Sequence, residues 1–185
     1  MPKLYKTEDI RNIALLGHSG SGKTALIEAM LYNSGATNRL GKLEEGNTVS
    51  DYDEEEIRKG VSINTTIIPV EWKGKKINIL DTPGTLDYVG EVVSGLSVSD
   101  VAVLVLDGSS GVEVGALLAW KNAQALGVPT AVFINKMERE NSSYRKVIDE
   151  LRERFDGTFV PMCLPIRGSG EVIEGIVNLL TQKAH

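Results

Sequence analysis

Eight residues, Gly17-His18-Ser19-Gly20-Ser21-Gly22-Lys23-Thr24, restrict what this chain can fold into more than any other stretch. They fit the spacing G-x-x-x-x-G-K-[ST] of a phosphate-binding loop, which works only between a strand and a helix. The flanks supply both: the apolar run Ile13–Leu16 leads in and the helix-like run Thr24–Tyr32 leads out. Glycines let backbone N–H groups curl around phosphate oxygens without Cβ clashes, and the amino end of the next helix adds positive dipole character there. From such a loop Lys23 reaches the β- and γ-phosphates, and the Thr24 hydroxyl is offered to magnesium. A Gly/Ser-rich turn could share the pattern by chance, so the reading depends on what the rest of the chain provides.

Apolar runs alternate with runs of helical period. The strand-like runs are Ile13–Leu16, Ser62–Glu71, Lys76–Leu80, Val101–Leu106, Thr130–Ile134 and Thr158–Leu164. The helix-like runs are Thr24–Tyr32, Tyr88–Leu96, Val112–Leu126 and Ser142–Phe155, the third stopped by Gly127 before Val128-Pro129. Val101–Leu106 is continuously apolar, as a central strand covered on both faces requires. Trp72-Lys-Gly-Lys75 reads as a hairpin turn pairing two neighbouring strands antiparallel. The pattern predicts an α/β fold of the P-loop NTPase kind. Its three layers, α/β/α, surround a mostly parallel sheet with one antiparallel, hairpin-paired strand, and the ligand lies at the strand carboxyl ends.

Composition narrows the class. A chain of 185 residues fits one domain, and 42% hydrophobic residues suffice for its core. The net charge of −5 argues against broad adhesion to nucleic acid or anionic membrane, and leaves local RNA contacts by a few loops open. Cys163 is the only cysteine, so no intrachain disulfide forms and a reducing compartment fits. The polar start, Met1–Arg11, lacks the apolar core of a signal peptide, and no apolar run nears the roughly 20 residues that span a bilayer. A soluble, cytoplasmic monomer without membrane contact is expected.

Two stretches stand apart. Gly35–Gly60 is long, polar and acidic in its middle, with Asp51, Asp53, Glu54, Glu55 and Glu56. A connection of that length is functional or mobile, and the expectation is a loop poorly placed unless a triphosphate and magnesium hold it. A solvated surface loop with a short helix is the bland alternative. In Ile166–His185, Arg167-Gly-Ser-Gly170 precedes the apolar run Val172–Leu180, which is too small to be a domain.

Three segments fall where strands end and a nucleotide would lie. In Asp81-Thr-Pro-Gly84, Asp81 holds magnesium directly or through water, and the Gly84 N–H approaches a γ-phosphate. In Asn135-Lys-Met-Glu138, an amide edge, a lysine stem and a carboxylate are spaced to read guanine, with Glu138 where Asp is usual. Where the polar loop enters its strand, Ser62 offers magnesium a hydroxyl, as a switch loop does in the triphosphate state.

With these segments in order, the sequence resembles the N-terminal GTP-binding domain of translation elongation factor G, and within that family the elongation-factor-G-like paralogues. The likeness rests on Gly17–Thr24, Gly60-Val-Ser-Ile63, Asp81-Thr-Pro-Gly-Thr-Leu-Asp-Tyr88, Asn135-Lys-Met-Glu-Arg139 and Leu164-Pro-Ile166. It implies a translational GTPase that binds GTP or GDP with Mg2+ and brings its switch loops to ribosomal RNA on the ribosome. By the same likeness Gly17, His18, Ser19, Gly20, Ser21, Gly22, Lys23 and Thr24 hold phosphates. Thr24 and Ser62 coordinate magnesium, Asp81 supports it through water, and Asn135, Lys136 and Glu138 read guanine. Lys23, Gly84 and Thr85 stand at the catalytic positions.

Thr85 occupies the place of the histidine that usually positions the attacking water, Gly20 that of a common Asp, and Ser62 that of a Thr. His18 matches a histidine of the family's loop, where a structural role is implied. Hydrolysis is therefore expected to be slow or ribosome-dependent. The rival readings are a nucleotide-binding regulatory module with little hydrolysis, and an ATP-using P-loop enzyme such as a kinase. No Ser-Ala guanine loop follows Glu138, so the likeness implies a GTP-binding domain over residues 1–165, incomplete at its carboxyl end, and the start of the family's insertion over 166–185.

Overall fold

The apolar run that leads into the phosphate loop is the middle strand of a five-stranded sheet. In the computed structural model, which describes residues 3–168 and 173–185, β1 (Ile10–Leu16) lies between β3 (Lys75–Asp81) and β4 (Val101–Asp107), parallel to both. The order is β2-β3-β1-β4-β5, with β2 (Thr66–Trp72) and β5 (Thr130–Asn135) at the ends. β2 and β3 pair antiparallel from Thr66↔Asp81 to Trp72↔Lys75. Their turn residues Lys73 and Gly74 have φ of 48° and 82°, the twist that a two-residue hairpin needs. A mostly parallel sheet with one antiparallel pair is the P-loop NTPase architecture that the sequence predicts.

The topology places the site. From β1 the chain crosses through α1 (Lys23–Ser34) to the β3 side, and from β3 through α3 (Val89–Ser97) to β4 on the other side. Right-handed crossovers in opposite directions put α1 and α3 on opposite faces, and the strand order reverses at the carboxyl end of β1. Side chains follow the strand period. Ile79 joins Leu15, Ile27, Leu31, Ile68 and Val70 in a core under α1, while its neighbour Leu80 approaches Gly95 of α3. Ile27 is fully buried there. Ile27→Ala is expected to cost about 2–5 kcal/mol, read as a lower urea midpoint at constant slope.

The chain divides into two compact units. Met1–Leu106 with Glu113–Phe133 forms the first, which also carries α2 (Glu54–Lys59) and α4 (Val114–Ala125). Asp107–Val112 with Ile134–His185 forms the second. It holds α5 (Tyr144–Arg154), whose N-cap Ser143 accepts the Lys146 N–H and whose Val147 and Leu151 are buried. It also holds an antiparallel sheet of β6 (Cys163–Arg167), β7 (Ile173–Asn178) and β8 (Lys183–Ala184). Among the described residues no helix is long and apolar enough to cross a membrane.

Three expectations are corrected. The strand expected over Thr158–Leu164 begins at Cys163 and belongs to the small sheet, paired Cys163↔Asn178. Pro161 has no N–H to give a ladder, and Pro165 is tolerated because β6 is an edge strand. The apolar run of the tail is part of that sheet, although residues 169–172, including Gly170 and Val172, lie outside the described residues. The strand expected from Ser62 starts at Thr66, because the N–H groups before it go elsewhere. Those of Ile63 and Asn64 donate to Glu56, and that of Thr65 donates to Glu91.

Gly35–Gly60, expected as a loop that triphosphate and magnesium place, contains the short helix of the alternative reading. α2 in its second half is capped by Asp53 and Glu56 in a reciprocal box, and Thr48, Ser50, Asp51 and Glu56 are buried. Part of this loop's polar composition serves internal hydrogen bonds, while Lys42, Glu44, Glu45, Glu54, Arg58 and Lys59 face solvent.

Candidate functional site

The phosphate loop in the first unit depends on close approach. Gly17 has φ of 146°, and a Cβ there would stand 2.4 Å from the Val105 carbonyl oxygen, so no side chain fits. Ser21 N donates to His18 O at 3.2 Å and its residue is 1% exposed, which tightens the loop. No side chain caps α1, whose amino end is thereby left for an anion. His18 packs against the start of α4: its Nδ1 is 2.6 Å from where a Gly115 Cβ would stand, and Nε2 lies 3.6 Å from Glu113.

Lys23 is buried and turns back into the loop, donating to the carbonyls of Gly17 at 3.1 Å and His18 at 3.2 Å. Burial pulls its ammonium below the ordinary lysine range, against the charges of Asp81 and Asp51. Beside it, Thr24 Oγ1 donates to Asp81 Oδ2 at 2.8 Å. Asp81 is 1% exposed, and burial raises its carboxyl to about 6 although the Lys23 charge and the Thr24 hydroxyl pull it down. Its Oδ1 is buried without a hydrogen bond. Thr82 Oγ1 donates to Leu15 O at 2.6 Å and turns the chain from β3 to Gly84. A Cβ on Gly84 would stand 2.6 Å from both Lys23 Nζ and Ser19 N, so this segment closes directly on the phosphate loop. Thr85 follows in a cleft also lined by Gly17 and Gly115.

Thr24 and Asp81 are thus brought together as the sequence implies, and Ser62 takes a different partner. Its hydroxyl donates to Asp51 at 2.7 Å. Asp51 is buried, with Oδ2 unpartnered and its carboxyl raised by that burial. Two buried carboxylates with an orphaned oxygen each, two hydroxyls and one ammonium form a donor set suited to a hard cation and phosphate oxygens. The chemistry fits magnesium, although among the described residues no three His, Cys, Asp or Glu side chains form a metal cluster by themselves. Asp51 escaped the sequence reading. It lay in an acidic run where composition could not tell a buried carboxylate from a solvated one.

The second unit holds the guanine-reading candidates. Asn135 ends β5, and its carbonyl accepts the Gly108 N–H at 2.8 Å. Lys136 has a left-handed φ of 56°, a conformation that costs a non-glycine residue about 1–3 kcal/mol. Asp107, at the end of β4, meets Lys136 Nζ at 3.1 Å and Arg139 at 3.3 Å, and accepts the N–H and hydroxyl of Ser109. Burial works against its ionisation, but Ser109 and Lys136 outweigh it and hold the carboxyl at about 2. Glu138 is exposed. Asp107 was also missed, one position beyond the apolar run Val101–Leu106.

Residues 8–184 match the family described as the elongation factor Tu GTP binding domain. An elongation factor G-like protein of Thermotoga maritima is 38% identical over 178 residues, covering 96% of this chain and 25% of its own length. A mitochondrial ribosome-releasing factor 2 of Anopheles gambiae is 38% identical over 172 residues, covering 93% of this chain and 23% of its own. Among solved structures, a crystal structure of a Thermus thermophilus protein superposes with a TM-score of 0.89 at 36% identity, covering 95% of this chain and 26% of that one. The chain spans about a quarter of the length of the curated relatives it matches.

Proposed function

The chain belongs to the family of elongation factor Tu GTP-binding domains, and from that premise we propose that it binds GTP and GDP with magnesium and passes the state of the nucleotide to its loops. The observation that carries the reading is the buried group of Lys23, Thr24 and Asp81. Lys23 spends its hydrogen bonds on loop carbonyls and Asp81 leaves one oxygen orphaned, an arrangement a phosphate and a divalent cation would relieve. Residues Gly17 to Thr24 hold the phosphates, and Thr24 and Ser62 offer hydroxyls to magnesium. Asp81 and Asp51 support the metal through water. When bound, magnesium neutralises the charge that builds on the β- and γ-phosphates.

Asn135, Lys136 and Glu138 select guanine in this reading, with Asp107 holding Lys136 in its strained conformation. Residues 1–165 are assigned to the nucleotide-binding domain and 166–185 to the start of an inserted segment. In the whole protein the switch loops meet ribosomal RNA, and the factor serves translation in the cytoplasm as a monomer. Hydrolysis there is slow or ribosome-dependent. Lys23 and the Gly84 N–H steady the γ-phosphate, while Thr85 can offer a hydroxyl to water but cannot take its proton as an imidazole would.

Thr85 also favours a second reading, a nucleotide-binding regulatory module that does not hydrolyse GTP. Single-turnover assays with and without ribosomes separate the two: GTP that persists in both leaves the regulatory module. Competition of ATP against labelled GTP tests the base, and equal affinities would remove the guanine assignment. Glu138→Ala is expected to weaken GTP about 10- to 100-fold while leaving residual ATP binding unchanged, because it removes a charged acceptor that only guanine uses.

A further inference from the structure

The nucleotide reading leaves two buried carboxylates unused, Glu56 in the capping box of α2 and Glu28 in α1. Glu28 lies in α1, one turn beyond Thr24 on the same helix face, and is 1% exposed. Its Oε2 accepts the Gly41 N–H at 3.0 Å and its Oε1 accepts the Val49 N–H at 2.6 Å. Both partners are backbone groups of the loop between α1 and α2, and among the described residues no salt bridge reaches Glu28. Space, not backbone conformation, favours glycine at Gly41: a Cβ would stand 2.4 Å from Glu28 Oε2, which would have to shift off its bonds, and 3.1 Å from Asn47 O. The loop folds on itself around this carboxylate, with Lys42 N donating to Asn47 Oδ1 at 2.7 Å and Arg39 donating to Asn47 O at 3.2 Å.

The later part of the loop is held differently. Its ties run to the chain that enters β2 and not to α1: the Ile63 and Asn64 N–H groups donate to Glu56, Thr66 Oγ1 donates to Ser50 O, and the Ser62 hydroxyl donates to Asp51, a pair of side chains that can each take another partner. We propose that Glu28 is a positioning residue that divides the loop in two. Residues 41–49 stay pinned to α1 in every nucleotide state, and only the stretch from Ser50 to Ser62 responds to a γ-phosphate and magnesium. The division deepens the GTP-binding reading and rests on it for the word "responds"; the pin itself does not.

The physical reason is the asymmetry between the two links. Releasing 41–49 would strand a buried carboxylate whose two hydrogen bonds are charge-assisted, and an unpaired buried charge is among the costliest defects a fold can carry. Opening the Ser62–Asp51 pair with the Glu56 bonds to Ile63 and Asn64 kept strands nothing that magnesium and water cannot satisfy. The pin has a functional consequence. It shortens the span of chain that GTP must order, and the entropy of closing a loop rises with its length.

Hydrogen exchange of the chain, followed residue by residue in NMR spectra, tests this without nucleotide, with GDP and Mg2+, and with a non-hydrolysable GTP analogue and Mg2+. The amides of Gly41 and Val49 are expected to stay protected in all three states, while amides between Ser50 and Ser62 gain protection only with the analogue. Glu28→Gln turns an N–H toward a donor and is expected to speed exchange at Gly41 and Val49 at least tenfold. Gly41→Ala does so at Gly41 and, paired with Glu28→Gln, adds nothing further. Both variants are expected to weaken the analogue relative to GDP by about threefold, the penalty for roughly doubling the free loop.

Rapid exchange at Gly41 and Val49 in the nucleotide-free wild type would overturn the proposal. So would a folded Glu28→Gln variant with unchanged exchange there. Failure of every nucleotide to bind would instead defeat the GTP-binding reading, and the nucleotide-free comparison would still decide the pin.

Discussion

Replacing Lys23 with methionine is expected to cost the chain about 100-fold or more in affinity for GTP, because charged hydrogen bonds to phosphate are worth about 1.5–3 kcal/mol each. Methionine matches the length and packing of the lysine stem, so the change removes the ammonium and little else. The fold is expected to survive, since among the described residues the ammonium hydrogen-bonds to the carbonyls of Gly17 and His18, six and five positions back in the same loop. A second consequence distinguishes lost phosphate contact from general damage. The Lys23 charge holds the Asp81 carboxyl down against burial, so the variant should titrate Asp81 above its present value of about 6. Fluorescence titration with a labelled nucleotide reads the first effect and carbonyl chemical shifts against pH read the second. Near-normal GTP binding by a folded Lys23→Met variant would remove Lys23 from the site.

Asp81 carries the largest expected effect of pH on stability. Its carboxyl is at about 6 in the folded chain and near 3.8 as an ordinary aspartate, so the folded state binds the proton more tightly than the unfolded one. Its contribution is therefore fully present below about pH 4 and is lost as pH rises through 6. The gap corresponds to about 3 kcal/mol. Without nucleotide, Asp81→Asn should melt higher than the wild type at pH 8 and match it near pH 5. With nucleotide the sign reverses, since magnesium needs the ionised carboxylate. Wild-type affinity for GTP and Mg2+ should fall as pH drops below 6, and Asp81→Asn should bind weakly at every pH. A wild-type melting temperature without nucleotide that rises steadily from pH 5 to 8, with Asp81→Asn rising alongside, would show that Asp81 is not the group responsible.

Much of the fold was legible because its signals are local. The run Val101–Leu106 reads as a central strand from its own residues, and Trp72-Lys-Gly-Lys75 reads as a hairpin because a two-residue turn needs only its own φ angles. The phosphate loop, Asp81–Gly84 and Asn135–Glu138 are likewise contiguous, each directly after its strand. Where the reading failed, the deciding partner lay outside the segment itself. Ser62 looked like the first residue of a strand, yet the N–H groups behind it go to Glu56 and Glu91. The strand expected over Thr158–Leu164 shifted to Cys163–Arg167 because its ladder is made with Ile173–Asn178.

The amino-acid sequence by itself determined the phosphate-loop motif, a mostly parallel sheet with one hairpin-paired strand, and the residue types expected to meet phosphate, magnesium and guanine. Each follows from spacing within a few residues and from backbone sterics that act at short range. Only the tertiary structure decided which of the acidic residues are buried. Glu28, Asp51, Asp81 and Asp107 are each 4% exposed or less, while Glu54 and Glu55 are at the surface. A carboxylate in a list of residues carries no sign of its surroundings. Its ionisation and its role depend on desolvation and on N–H groups and charges brought to it by folding.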